Sequence, residues 1–598
     1  MTRRWMYGAE APIVRGNTCC AEGSGRVSGT DLLESVRDQG QDAAAASTRP
    51  APWLELGLGL VVVAVPLAFV PASFAPFVDA KMVLLLAGSL AVWAGTRSHS
   101  RLTLPAAAWL GTLALAGLLG VDRWWSLTGP ENTGNGLLLL GTSAFLLVAG
   151  TGVPPALRAR IPAWLVGTAT AVAAVSIVYR LWPGALNAVV PGLSFEGGTL
   201  GHPVFVAGLA AAGVAAAVGL ARRAPWTVGM SVVILASALA LSTKRVGWVA
   251  LAVGLAVVLW RSRPPRRQVL LVVGLVAATL AAWTVVDAFT GPATPLSGAR
   301  RFGELATDSA QSRVTAWKVL GRGWSHRPVL GWGPGNTWAA YTWSATQAEV
   351  EQGERGFRDA HNLLVEAAVT TGGGGLAALL VLVGFTVREA RRGSPAVGWA
   401  AGSAAALGVV HLVQPLTISL TPLLFLLAGL ACPPPEDHPD PPTEGPADAM
   451  ARGGGRRAAG RTAVGIVLAA GLLLTVGLLA SAVLERYGRS YNSQWALRQS
   501  LRLAPERATT AEALALSLAL DGRSRDEAAA REAVALAERT VSRHPWNPRL
   551  RLIAADVHIL LNDFAGARTW VERHLARFPR DRVPIPEEWS TAAPSPGP

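Results

Sequence analysis

Charge is scarce in this sequence. Asp, Glu, Lys and Arg make up 15% of the 598 residues, where soluble globular chains carry about 25%. With 51% hydrophobic residues, the chain is too apolar for a soluble protein of this length. Cysteine is nearly absent: Cys19 and Cys20 are adjacent and cannot easily bridge each other, and Cys432 stands alone, so neither a disulfide framework nor a zinc spacing is present. No cluster of metal-ligand residue types is evident. No aromatic–basic motif for nucleic acid appears either. The net charge of +14 therefore reads as membrane topology rather than nucleic-acid binding. A cleavable signal peptide is not visible. Residues 1–51 are rich in Gly, Ala, Arg and Asp, and read as a disordered cytoplasmic leader.

What is abundant is long apolar sequence. Apolar runs fall at about 53–72, 80–96, 103–121, 135–152, 162–182, 203–221, 225–242, 246–260, 268–289, 361–387, 396–414, 416–432 and 462–483. A bilayer core of about 30 Å needs about 20 apolar residues as a helix. Only helices or closed barrels satisfy their backbone groups in lipid, and barrel strands would be short and alternating. The expectation is an all-α fold: a polytopic transmembrane helical bundle of about 12–13 spans.

Arginine sets the orientation. With the N-terminus in the cytoplasm, the inside loops carry Arg97 and Arg101, Arg158 and Arg160, Arg222 and Arg223, Arg261 to Arg267, and Arg388 to Arg392. This is the bias expected of cytoplasmic loops. The protein is accordingly expected in the cytoplasmic (inner) membrane, with residues 52–432 as its core of 12 spans. Residues 290–360 become one large extracytoplasmic loop, and a long loop with its own apolar and aromatic content is usually functional. Within it, 312–320 reads as a short amphipathic helix, followed by a Gly/Pro turn cluster at 327–337.

Residues 433–461 are rich in Pro and then Arg, and read as a cytoplasmic linker. A thirteenth span at 462–484 carries the chain out again. Residues 485–580 then form an extracytoplasmic helical domain, and 581–598 a flexible tail. In that domain three amphipathic segments end at Pro505, Pro545 and Pro579, spaced by 40 and 34 residues. A 34-residue helix-turn-helix period resembles tetratricopeptide repeats; an ordinary helical bundle is the alternative.

The residues with chemical promise concentrate around 358–376, where a polar loop passes into an apolar segment. His361 and Asn362 sit at the junction, nine residues separate Asn362 from Gly372, and Gly375 follows. An imidazole at a helix start on a membrane face is a place for a general base to meet a polar acceptor and a lipid-linked donor. The glycines would let another helix approach closely. The alternative is a His-Asn pair that caps the helix and does no chemistry. Asp359 stands two residues before His361, where a carboxylate can orient an imidazole; Glu366 flanks it on the other side. Lys244 and Arg245 lie in a turn between two spans on the face that holds few basic residues, which marks them as functional candidates; a snorkelling side chain is the alternative. Arg313 lies in the large loop, four residues before Trp317. His411 and Gln414 are expected inside the eleventh span, in interhelical hydrogen bonds.

The His-Asn-x9-Gly-x-x-Gly pattern resembles the signature of the O-antigen ligase family, membrane transferases that move a glycan from a polyprenyl-diphosphate lipid to an acceptor. Ser-x-x-Arg ending at Arg245 looks like that family's first arginine motif. Arg313-x-x-x-Trp317 with Pro328, Gly331 and Gly333 looks like its second. The segment 198–208 is similar to the family's Gly-x-x-Gly-Asn-Pro sequence, with His202 where asparagine is usual. The resemblance implies a metal-independent glycosyltransferase without a cofactor. His361, Arg245 and Arg313 would be catalytic; Lys244, Asn362, His202 and Asp359 would bind substrate. It also implies as partners a polyprenyl-diphosphate-linked glycan donor, a glycan, lipid or protein acceptor, and membrane lipid, with a protein partner for the C-terminal repeats. Neighbouring readings are a polysaccharide polymerase or a protein O-oligosaccharyltransferase. From other classes come a transporter and a non-catalytic scaffold of envelope assembly.

Overall fold

The computed structural model describes residues 52–96, 100–190, 194–290, 308–351, 357–434, 447–523, 526–578, 583, 585 and 586; the expected leader at 1–51 lies outside them. Each of the thirteen expected apolar runs coincides with a helix, and no strand occurs among the described residues. The core helices are α1 (Pro52–Leu67), α2 (Asp79–Gly95), α3 (Thr103–Leu118), the short α4 (Arg123–Thr128), α5 (Leu137–Thr151), α6 (Pro155–Leu181), α7 (Pro203–Leu220), α8 (Pro225–Ser242), α9 (Arg245–Ser262) and α10 (Arg266–Thr290). The large loop contributes α11 (Asp308–His326) and α12 (Thr337–Ser344), before α13 (Leu363–Arg392), α14 (Gly398–His411), α15 (Thr421–Leu430) and α16 (Ala447–Tyr491). The C-terminal helices are α17 (Gln494–Leu503), α18 (Ala508–Arg523), α19 (Glu527–Arg543), α20 (Pro548–Leu560) and α21 (Phe564–Arg577).

Seven of these helices are long and apolar enough to cross a membrane. Others are shorter than expected. α15 has ten residues, about 15 Å of helix, which is half the thickness of a hydrocarbon core. The reason is a break at 412–420, where Pro415 cannot continue a helix. His411 ends α14, with its Nε2 3.5 Å from Thr421 Oγ1. Gln414 falls in the turn beyond the helix rather than inside a span. Within the stretch expected as a linker, α16 already begins at Ala447, since the apolar run beyond supplies a helix to extend.

α7 is the hub. Its Ala/Gly-rich sequence is buried nearly all round, and α6, α8, α9 and α14 pack on it. Small residues permit the close crossings; a Cβ on Gly402 would stand 2.6 Å from the Gly254 carbonyl of α9.

The connecting segments sort into two ends. At one end the arginines tie neighbours through backbone carbonyls: Arg158 donates to Val153 (2.8 Å) and Cys432 (2.9 Å), and Arg261 to Ala390 (2.7 Å) and Gly393 (2.6 Å). Arg160 meets Glu55 there at 2.6 Å. At the other end gather the turns near 74, 132, 201 and 416, which line one cavity of about 330 Å³ that includes His202. The large loop docks at this second end, where Val121 N–H donates to the Trp332 carbonyl (3.1 Å) and Asn336 Nδ2 donates to Ser126 Oγ (2.9 Å).

The C-terminal helices have their own apolar cluster, built on Leu514, Leu518, Ala533, Ala554 and Trp570. They are held to the second end. Buried Glu485 of α16 accepts from Arg489, Arg507 and Thr510. His544 Nδ1 meets Asp122 Oδ2 at 2.6 Å, both buried. Trp546 packs edge-on against Trp332 and Trp343 of the large loop, 5.4 and 5.5 Å between ring centroids, with Arg577 3.6 Å over its face.

Candidate functional site

The site is assembled where the large loop enters α13. Asn362 is the N-cap of that helix, its Oδ1 accepting the N–H groups of Leu364 (2.8 Å) and Val365 (3.1 Å). The capping alternative therefore describes Asn362 well. His361 is a different case. Its backbone takes φ +48°, a left-handed conformation that costs a non-glycine residue about 1–2 kcal/mol and must be held by neighbours.

The holding groups are visible. Asp359 Oδ1 accepts the His361 N–H (3.0 Å) and also meets the ring at Nδ1. The residue between them is fixed on both sides: Ala360 N–H donates to Glu366 Oε2 (2.8 Å), and the Ala360 carbonyl accepts the Trp317 indole N–H (2.8 Å). Glu366 Oε1 also accepts from Thr337 Oγ1 (2.6 Å), so one buried carboxylate links α12 to α13. With Nδ1 facing Asp359, Nε2 is the ring nitrogen left for an incoming group. The side chain keeps 27% of its exposure, so it can be reached.

The glycines of the motif serve a purpose other than the expected one. At Gly372 the close approach is made by a turn rather than by a helix. The Pro328–Gly333 turn of the large loop inserts where α13 breaks at Gly372, whose φ is +68°. Gly373 N–H donates to the Pro328 carbonyl (2.7 Å), Trp332 N–H to the Val369 carbonyl (3.0 Å), and Gly333 N–H to the Thr370 carbonyl (2.8 Å). A Cβ at Gly372 would lie 2.1 Å from the Val329 carbonyl oxygen. The two glycine-bearing motifs are thus halves of one contact.

His202 caps α7: its Nδ1 accepts the Val204 N–H (3.3 Å), the role an asparagine oxygen would fill. That leaves Nε2 as the N–H of the neutral ring. The ring is solvent-accessible, yet desolvation by surrounding protein, together with the charges of Lys244, His361 and Arg313, holds its pKa below the usual value. Lys244 is the N-cap residue and Arg245 the first residue of α9, both half-buried. Arg313 lies on α11; burial lowers its pKa and the Asp359 carboxylate opposes that shift. So the structure gathers His202, Lys244, Arg313, Asp359 and His361 at one end of the bundle, with Arg245 beside Lys244. Among the described residues, no three His, Cys, Asp or Glu side chains gather as metal ligands.

An apolar groove of about 510 Å³ lies between α9, α13, α14 and α15. Leu363 and Leu364, two and three residues after His361, line it; so do Trp260, Arg261 and Arg391 of the arginine-rich end. It therefore runs along the bundle from one end to the other.

Three contributors had little signal in sequence. Trp317 stood out only as part of a motif. Glu366 was noticed only as a neighbour of His361. Lys81 is fully buried behind the His202 cavity, donating to the Thr199 carbonyl (2.6 Å) and Ser419 Oγ (3.0 Å); a lone lysine in an apolar run is its one trace in the sequence.

Comparison with known families follows the same division of the chain. Residues 230–380 match the family described as O-antigen ligase, and residues 525–583 match the tetratricopeptide repeat. The first match contains Lys244, Arg245, Arg313, Asp359, His361, Asn362, Gly372 and Gly375, while His202 lies before it. Both likenesses read from the motifs are found. No curated protein matches the chain.

Proposed function

From an O-antigen ligase-like segment folded into a multi-pass bundle, we propose that the protein is a membrane glycosyltransferase that takes its glycan from a polyprenyl-diphosphate carrier. The observation that carries this reading is the Asp359–His361 contact, at the start of the helix whose Leu363 and Leu364 line an apolar groove, with the charges of Lys244 and Arg313 acting on the neighbouring His202. A base beside fixed cations suits a reaction that removes a proton from an alcohol and releases a diphosphate.

In the proposed reaction the acceptor hydroxyl attacks carbon one of the donor sugar. Its proton passes to Nε2 of neutral His361, and the resulting imidazolium is stabilised by the Asp359 carboxylate, as in other carboxylate-oriented bases. The new carbon–oxygen bond forms as the bond from carbon one to the diphosphate oxygen breaks. The leaving electron pair stays on diphosphate, whose charge Arg313, Lys244 and Arg245 hold; arginine suits this because its planar fork keeps its charge and bonds in pairs. One displacement inverts the anomeric centre and needs no nucleophilic side chain. The groove beside Leu363 and Leu364 suits the polyprenyl tail. With the arginine-rich end in the cytoplasm, the reaction would occur on the outer face of the cytoplasmic membrane.

The acceptor class divides this reading into ligase, polymerase and protein O-glycosylation variants. The docked C-terminal helices favour an acceptor presented from the same end. His361→Ala, measured with purified protein and polyprenyl-diphosphate-linked glycan, is expected to abolish transfer while membrane insertion and thermal stability stay normal. Transfer at the wild-type rate would overturn the assignment.

A further inference from the structure

A second cavity lies where the C-terminal helices meet the core. It measures about 90 Å³ and is lined from the core by Phe74, Trp125, Glu131, Asn132, Trp338 and Arg358, and from α18 and α20 by Glu512 and Arg549 among others. A cavity of this size has room for several waters. Phe74 and Asn132 also line the 330 Å³ cavity that contains His202, so the two spaces share a wall. Arg358 belongs to the same short stretch as Asp359 and His361.

Two observations separate this cavity from an ordinary packing gap. Trp125 Nε1 and Glu131 Oε1 are both buried without a hydrogen-bond partner in the structure. An unpaired buried donor or acceptor costs about 1–3 kcal/mol, and here the two residues that carry one of each both contribute to the lining of the same small space. A hydroxyl group has the chemistry to answer either, since it accepts from an indole N–H and donates to a carboxyl oxygen. The charges also differ from those near His361. Glu131 and Glu512 face Arg358 and Arg549, so the walls balance, whereas Lys244, Arg245 and Arg313 give the neighbouring site a cationic excess suited to diphosphate. Burial pushes the Glu131 carboxyl above its usual pKa, and the charges of Arg507 and His544 oppose that shift. Trp125 and Trp338, stacked with centroids 6.0 Å apart, add an apolar wall. Aromatic surface beside planar polar side chains is what an uncharged sugar needs, since its C–H faces are apolar and its hydroxyls donate and accept.

We propose that this cavity is a glycan subsite that binds one uncharged sugar unit of a substrate chain whose reacting end lies at His361. The subsite rests on the transferase reading for its purpose, but its occupancy can be tested without turnover.

Full-length protein in lipid nanodiscs would be titrated with free cellobiose, maltotriose, N,N′-diacetylchitobiose and mannobiose, followed by saturation-transfer difference NMR. At least one sugar is expected to bind the wild type. Glu131→Leu and Trp125→Phe should each weaken that binding tenfold or more, Glu131→Gln should retain part of it, and His361→Ala should leave it unchanged. Glu131→Leu should also hold or raise thermal stability, since it removes an unpaired buried carboxyl. A parallel titration with the same sugar on undecaprenyl diphosphate distinguishes the source. A Glu131→Leu loss seen with both the free and the lipid-linked sugar assigns the unit to the donor, and a loss seen with the free sugar alone assigns it to the acceptor. If no sugar of the panel binds the wild type, or if binding survives Glu131→Leu and Trp125→Phe undiminished, the cavity holds only water and the proposal is wrong. Loss of transfer in His361→Ala would be unaffected by that result.

Discussion

Trp317→Phe tests how the large loop sets the position of His361. The phenyl ring keeps most of the packing of α11 but removes the indole N–H that the Ala360 carbonyl accepts at 2.8 Å. Ala360 is 1% exposed, so water does not readily replace the lost donor, and a buried acceptor deprived of its partner costs about 1–3 kcal/mol. The next residue is already held against about 1–2 kcal/mol of left-handed strain, so the loss falls on the segment least able to absorb it. If it is expressed as a lower population of the reactive loop conformation, kcat falls by roughly 5- to 150-fold, at 1.4 kcal/mol per factor of ten. Trp317 acts through Ala360 and His361, so it is a positioning residue. KM for the lipid-linked donor should stay within about a factor of two, because the cations that hold diphosphate are untouched. The assay is the initial rate of glycan transfer by purified protein, with thermal stability measured in parallel. An unchanged kcat in a stable variant would refute the reasoning, as would a change confined to KM.

Other perturbations probe other parts of the same end. Gly372→Ala places a Cβ against the Val329 carbonyl at a φ of +68° and a ψ of −173°; the backbone conformation alone costs about 1–3 kcal/mol, and the variant should lose thermal stability and transfer activity together. His202→Asn keeps a side chain able to accept the Val204 N–H and should preserve stability, whereas His202→Ala should lose about 1 kcal/mol in a denaturation or melting assay. The His544–Asp122 contact predicts a pH effect on the C-terminal helices. Burial opposes charge on His544, but the hydrogen bond and charge of Asp122, with Glu131 and Glu506, raise its pKa above the ordinary 6.5. A raised folded value means the contribution is complete below about pH 6.5 and is lost as pH rises through the folded value. Limited proteolysis between α16 and α19 should therefore accelerate with pH above that point, and Asp122→Asn should flatten the profile.

The limits of the sequence can be traced to particular residues. Long apolar runs located the membrane helices because burial in lipid imposes a composition over a whole segment. They did not reveal that α15 is short, since Leu416 and Ile418 are as apolar outside a helix as inside one. The prolines at 505 and 545 were reliable helix ends, because proline acts on its own neighbours. The glycines at 372 and 375 were visible, but their purpose was not. A close approach requires glycine whatever approaches, and at Gly372 the partner proved to be a turn some forty residues upstream, while Gly375 packs on Thr371 of its own helix. Asp359 was named as an orienting group from its place beside His361, and the structure supplies the contact. Glu366, by contrast, looks like any acid in a first helical turn until Thr337 and Ala360 are seen against it.

The sequence by itself determined what is local: which segments are helical, which are apolar enough for lipid, where arginine collects, and that His361 and Asn362 open a helix after a long loop. Tertiary structure decided what depends on pairings across the chain. It brought Lys244, Arg313 and His361 round His202, seated the Pro328–Gly333 turn in the break of α13, and set His544 against Asp122, 422 residues away. Periodicity, capping and hydropathy act over a few residues or one helix length, so the sequence records them directly. A contact between distant segments leaves in each only a polar or small residue that many environments would suit. The cavity between the core and the C-terminal helices has no counterpart in any one stretch of sequence, because its two walls come from opposite ends of the chain.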